Sequence, residues 1–158
     1  RNMFDEIGFE QDFWRVRMRP GSPISFGWLV GPGRRQPVFG LPGNPSSAFV
    51  TFTLFVRPFL LRLAGHRDVG PRIVSCIAAE AFDAPADLTY FQRVTLARTE
   101  GATLASLTGP QGSGLVTGLA TAHGLAILQP GSPGVSAGDP VDVLLLDSGH
   151  GTGDPLVG

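Results

Sequence analysis

The stretch Phe39-Gly40-Leu41-Pro42-Gly43-Asn44-Pro45-Ser46-Ser47-Ala48 leaves the chain few options. A short apolar run ends at Leu41, Pro42 and Pro45 stiffen the turn after it, and an apolar-periodic segment then begins. This predicts a strand, a tight turn and a helix N-terminus in quick succession. Gly43 is suited to a positive φ. Asn44 is the candidate cap, and Pro45 fits the first helical position. Ser46 and Ser47 set hydroxyls beside amides that a helix start leaves unpaired. The corner is therefore either an anion site or a stiff connector.

Charge bears on that choice. All 12 basic residues are Arg, so any anion must be held by guanidinium forks, hydroxyls or backbone amides. Residues 1–67 carry nine Arg against four acids, and residues 68–158 carry three Arg against nine acids. The asymmetry suggests two units, with anion handling on the first. It is too weak for a nucleic-acid surface. Cys76 is the only cysteine and lies in an apolar run, so it reads as buried. His66, His123 and His150 form no ligand motif. No signal peptide is visible and no apolar run approaches membrane-spanning length, so the expectation is a cytoplasmic protein without a membrane segment.

In chain order, residues 1–8 read as the last turns of a helix that starts earlier, which implies a piece of a longer chain. Phe13–Met18 predicts a strand that presents Arg15, Arg17 and Arg19 on one face. That face is either a solvated edge or an oxyanion ledge. Ile24–Val30 and Val38–Leu41 predict two more strands, joined by a loop over 31–36. Ser46 to about Leu63 predicts the main helix, with Phe49, Phe52, Val56, Phe59 and Leu63 as its core stripe. Pro58 implies a bend near Leu54 or a restart at Arg57. Beyond residue 68 the pattern becomes short strands: Arg72–Ala78, Leu88–Ala97, Ala102–Leu107, Gly124–Leu128 and Pro140–Leu146. An acidic turn spans 79–86, a loop spans 130–138, and a short helix spans 115–122 with Ser113 as its possible cap. Mid-strand Arg93 is either exposed or paired. The fold expected is α/β: the end of an α/β domain over 1–67, a small mostly-β, barrel-like domain over 68–147, and a loose tail over 148–158.

Several ordered segments resemble one family. They are Pro20-Gly21-Ser22-Pro23-Ile24-Ser25-Phe26-Gly27, then Val38 through Ala48, then Phe55-Val56-Arg57-Pro58. Phe91-Gln92-Arg93, Gln111-Gly112-Ser113-Gly114, Ala122-His123-Gly124-Leu125-Ala126-Ile127-Leu128 and Gly138-Asp139-Pro140-Val141 continue the series. Together they resemble the molybdopterin molybdenumtransferases, the MoeA family, whose animal counterpart is the gephyrin E domain. The resemblance covers residues 1 to about 147. It implies the C-terminal part of a MogA-like molybdopterin-binding α/β domain, followed by a barrel-like domain.

The implied activity is insertion of molybdate into adenylylated molybdopterin, with Mg²⁺ and release of AMP. On the family pattern Arg15 and Arg19 match basic active-site residues. Pro42 and Pro45 match turn residues that shape the site, with Gly43, Asn44, Ser46 and Ser47 beside them. Arg93 matches a basic residue of the C-terminal domain that points toward the cleft. Ser22, which belongs to the same cofactor-binding set, stands where the family often has Lys. The Mg²⁺ ligands and catalytic acids are expected upstream of residue 1, which implies that this chain alone is inactive. The resemblance also implies a homodimer and a molybdopterin-adenylyltransferase partner. Two other readings stay open: a non-catalytic binding or scaffold module of the gephyrin E type, and a relative acting on another pterin or nucleotide.

Overall fold

The computed structural model describes residues 7–84, 87–112, 117–132 and 134–146. The helix expected over 1–8, apart from Ile7 and Gly8 in a turn, lies outside the described residues, as do Ser113 and the tail.

Strands β1 (Phe9–Trp14), β3 (Ser25–Gly31) and β4 (Arg34–Gly40) form an antiparallel sheet in the order β1-β3-β4. The loop expected over 31–36 contracts to a hairpin, because Gly31 already pairs with Arg34 and Gly33 takes φ +69°. The strand expected over 13–18 is displaced toward the N-terminus. It ends at Trp14, because Arg15 turns the chain with φ +75°. Met18–Arg19 then forms a separate two-residue strand, β2. A register shift between Gln11 and Phe13 sends Phe13 toward Phe26, 5.9 Å between ring centroids.

One continuous helix, α1, runs from Pro45 to Leu63. Its middle turn, Phe52–Val56, is π-helical, and the Arg57 amide donates to the Phe52 carbonyl. Pro58 explains the irregularity. Its ring lacks an N–H and would collide with the carbonyl four residues back, so the extra residue opens the ladder there. This is the expected restart at Arg57. The extra residue also rotates the second half by about 100° against the first. The expected core stripe is thereby split. Phe49 and Phe52 are exposed, while Phe59 packs on Phe26 and Phe39. The buried face of the helix is Ser46, Ser47, Val50 and Thr51. The helix also corrects the expectation about membrane-spanning length, with 19 residues at a mean hydropathy of 1.3. It carries Arg57 and Arg62, and its Val50 side is seated on protein.

The second half closes on itself. Strands β7 (Thr89–Arg98), β8 (Thr103–Leu107), β5 (Ile73–Ala78), β11 (Pro140–Leu145) and β9 (Gly124–Leu128) follow one another, and β9 returns to pair with β7. This five-stranded barrel meets the barrel-like expectation. A small pair, β6 (Phe82–Asp83) with β10 (Gly134–Val135), forms within segments expected to be turns. A four-residue helix, α2 (Thr117–Ala120), stands where a short helix was expected. Inward residues alternate along β7, and Val94, Leu96, Phe82, Ala105 and Val143 share one core.

The two halves meet at a second core of Met18, Val50, Leu125 and Leu144. Strand pairing crosses the expected boundary as well. Strand β2 joins the barrel sheet in parallel, Met18 opposite Thr89 and Arg19 opposite Tyr90. This pairing carries Arg19 onto the rim of the barrel.

Candidate functional site

The corner after β4 folds as its residues dictate. Asn44 is extended (φ −77°, ψ 125°), and its Oδ1 accepts from the amides of Ser46 (3.2 Å) and Ser47 (3.4 Å). Its carbonyl accepts from the Ala48 amide at 2.8 Å. Pro45 has no N–H to satisfy. The first turn therefore completes its own hydrogen bonds, and its amides are not free for an anion. The expected anion contact through these amides is corrected accordingly, and what the corner offers is hydroxyls. Gly43 is exposed with open space around it and is not among the positive-φ glycines, so the positive φ expected there is also corrected.

The turn Pro20-Gly21-Ser22-Pro23 packs directly on this helix start. Gly21 has φ +103°, and a Cβ there would lie 2.5 Å from Thr51 Cγ2. Only glycine meets both conditions. Thr51 is itself anchored, its Oγ1 donating to the Ser47 carbonyl at 2.9 Å. The contact sets Ser22 and Ser47 around one depression of about 320 Å³, with Arg19, Met18 and Leu88. Arg19 and Pro20 also border a second depression of about 340 Å³, whose far side is Tyr90, Phe91, Gln92, Gln111 and Gly112. Arg19 is exposed and stands between the two.

The expected arginine ledge does not form, because Arg15 breaks the strand. The Arg15 guanidinium lies 4.3 Å from the centre of the Trp14 ring. Arg17 donates to the Asp87 carbonyl at 2.8 Å. Among the described residues Arg15, Pro42, Gly43, Asn44 and Pro45 line neither depression. Trp14 instead borders a larger groove of about 530 Å³ on the outer face of the three-stranded sheet, with Phe9, Leu29 and Val38. That groove is apolar, so the two depressions at Arg19 are the better candidate for a charged ligand.

Arg93 is 2% exposed and faces the helix start from the barrel. Its Nη1 donates to Ser46 Oγ at 2.8 Å and its Nη2 to the Pro110 carbonyl at 2.8 Å. Both also reach the Gly112 carbonyl at 3.4 Å. No salt bridge to a carboxylate is found for it among the described residues, and Nε is buried without an acceptor. Burial lowers its pKa below the usual guanidinium value. Arg93 thus bolts the barrel to the helix start and adds an uncompensated positive charge behind Ser46. The corner's positive potential sums this charge with the helix N-terminus. Burial raises the Cys76 thiol pKa, with Asp142 adding to the effect. This keeps the thiol neutral and away from chemistry.

Sequence reading did not single out Tyr90, Gly21 or Gln111 as site residues. Their contacts join residues far apart in the chain. Only glycine's tolerance of positive φ, at a turn already recognised, was a usable signal. Among the described residues no three His, Cys, Asp or Glu side chains gather as a metal site, so these residues do not fit Mg²⁺.

Two family models match the chain: "probable molybdopterin binding domain" over residues 1–62 and "MoeA C-terminal region (domain IV)" over residues 76–146. The molybdopterin molybdenumtransferase of Staphylococcus aureus is 35% identical over 146 residues, covering 92% of this chain and 34% of its own length. That of Bacillus subtilis is 32% identical over 150 residues, with 95% and 34% covered. The chain spans about a third of the length of these relatives. The crystal structure of a molybdopterin biosynthesis moeA protein from Pyrococcus horikoshii superposes with a TM-score of 0.70 at 30% identity, over 90% of this chain and 33% of that one. A molybdenum cofactor biosynthesis protein from Pyrococcus furiosus gives 0.68 at 26%, over 87% and 46%.

Proposed function

Because the chain belongs to the MoeA family, as a C-terminal part of it, we propose that it serves molybdenum cofactor biosynthesis as part of a molybdopterin molybdenumtransferase. The reaction is insertion of molybdate into adenylylated molybdopterin with release of AMP. In this reading Arg19 binds an oxyanion, molybdate or the nucleotide's phosphate, at the junction of the two depressions. The hydroxyls of Ser22 and Ser47 donate to it across the smaller one. Arg93 stays behind Ser46 and supplies potential rather than a direct contact. Arginine suits the task, because its charge is permanent and its fork matches oxyanion geometry. Ser22 offers one donor and no charge where the family often has Lys, so Arg19 carries most of the attraction.

Mg²⁺, when bound, neutralises phosphate charge in this reaction class. The described residues do not fit that ion, so the reading assigns its ligands to the portion of the relatives that this chain does not span. It also assigns a cytoplasmic homodimer and a molybdopterin-adenylyltransferase partner to the whole enzyme, and inactivity to this chain alone. Arg15 enters only as a supporting charge, because it stacks on Trp14 outside both depressions.

The carrying observation is the convergence of Arg19, Ser22 and Ser47 on one depression through the contact of Gly21 with Thr51. The test is AMP release by a full-length enzyme carrying this C-terminal part. Arg19→Ala is expected to lower kcat/KM for molybdate by roughly a hundredfold, the scale of a lost charge-assisted contact. Unchanged kinetics would remove Arg19 from the site. The scaffold-module reading would be favoured by an apolar groove between the two halves and no depression at the arginines. The groove lies instead on the outer sheet face, and Arg19 borders two depressions.

A further inference from the structure

The loop 109–112 forms the wall of the 340 Å³ depression opposite Arg19, through Gln111 and Gly112. What holds that wall begins where the β7–β8 ladder ends. Val94 pairs with Leu107, so the next rung should join Arg93 to Thr108. Half of it forms: the Thr108 amide donates to the Arg93 carbonyl at 3.1 Å. The chain then turns away at Gly109, which has φ +95°. The Arg93 amide donates instead to Gln111 Oε1, at 2.8 Å. On its other side the same carboxamide gives back two bonds: Gln111 Nε2 donates to the Arg93 carbonyl at 3.2 Å and to the Gly109 carbonyl at 2.9 Å.

One planar carboxamide therefore acts as the missing peptide group of the ladder. Few side chains can do this, because an acceptor and a donor must lie on one planar group at the end of a two-methylene stem. The hold is reciprocal. The side chain of residue 111 grips the main chain of residue 93, while the guanidinium of Arg93 grips the main chain at Pro110 and Gly112. Through Nη1 the same guanidinium reaches Ser46 at the helix start.

We infer that Gln111 is a positioning residue: it fixes the 109–112 wall and, through Arg93, the seat of the barrel on Ser46, and so sets oxyanion affinity at Arg19. The last clause rests on the functional reading above; the first does not. The experiment uses the full chain, with Gln111→Met, which keeps volume and length, and Gln111→Ala. Two quantities are read: hydrogen exchange at the Arg93 amide, and the dissociation constant for sodium molybdate by calorimetry. The Leu96 amide is the internal control, because it donates at 2.9 Å to a different side chain, His123 Nδ1.

Both variants are expected to speed exchange at the Arg93 amide roughly tenfold, the scale of one lost buried hydrogen bond. Leu96 should be unaffected and the melting temperature should move only a few degrees. Molybdate binding is expected to weaken by about tenfold as well. An Arg93 amide as slow in both variants as in the parent overturns the inference. So does a freed Arg93 amide with unchanged molybdate affinity. If the parent chain binds no molybdate, the functional reading fails by itself, and the exchange measurement still decides whether Gln111 holds the wall.

Discussion

The barrel and the hairpin-plus-helix half bury their apolar side chains to different depths. In the barrel, Phe82, Val94, Ala105 and Val143 are wholly inaccessible. In the first half, Trp14 is 57% exposed and Leu63 67%. The difference is one of closure. A sheet that returns to its first strand encloses its inward residues, whereas a three-stranded sheet with one helix covers only one face. The first half finds its deepest burial where it touches the barrel, through Met18 and Val50 against Leu125 and Leu144. The candidate site lies at that same joint. Its geometry is thus set by the barrel's rigidity and by one turn pressed on one helix, rather than by the exposed sheet.

Substitutions in the two halves probe this contrast. Phe82→Ala empties the barrel core and should cost about 3–5 kcal/mol in denaturant unfolding. Trp14→Ala, by contrast, should cost only about 0.5–1 kcal/mol, the loss of its stack with Arg15. Similar losses at both positions would erase the distinction between the halves. Next comes Gly21→Ala, which forces a side chain into φ +103° and against Thr51 Cγ2. About 2 kcal/mol or more should be lost, together with the depression shared by Ser22 and Ser47. A variant as stable as the parent would show that the turn does not bear on the helix. Asn44→Ala removes the cap from Ser46 and Ser47 and should cost about 1 kcal/mol. The Asn44→Asp variant, which keeps the acceptor, should restore most of that.

The smallest effect is a pH dependence. Burial raises the folded-state pKa of Cys76, so the unfolded chain loses its thiol proton first as pH rises. The stabilising contribution is complete below the ordinary thiol value near 8.5 and declines as pH climbs above it toward the folded-state value. Comparing unfolding at pH 7 and pH 10 for the parent and Cys76→Val should show the extra alkaline loss only in the parent. Identical profiles would mean that the thiol is not held neutral by burial.

Legibility in the sequence tracks the range of the forces involved. The turn at 42–45 and its Asn cap were legible because every partner lies within four residues. The alternation along β7 announced a half-buried strand, and Pro58 announced an irregular helix. The arginine ledge failed on a single backbone angle at Arg15, which no residue type declares in advance. The helix stripe failed because one π turn changes the phase of everything after it. Arg93 was legible as either exposed or paired. Its partners, Ser46 at 47 positions' separation and the loop carbonyls beyond Gly109, belong to the tertiary structure alone. The corner was expected to offer amides and offers hydroxyls, because its own cap is more complete than composition alone could indicate.

The most direct test is a molybdate soak of crystals of this chain, read by anomalous scattering from the metal. The account predicts a peak within hydrogen-bonding reach of the Arg19 guanidinium, between Ser22 and Ser47, that disappears in Arg19→Ala. A peak confined to the outer sheet groove near Trp14, or one at Arg19 that persists after the substitution, would contradict it.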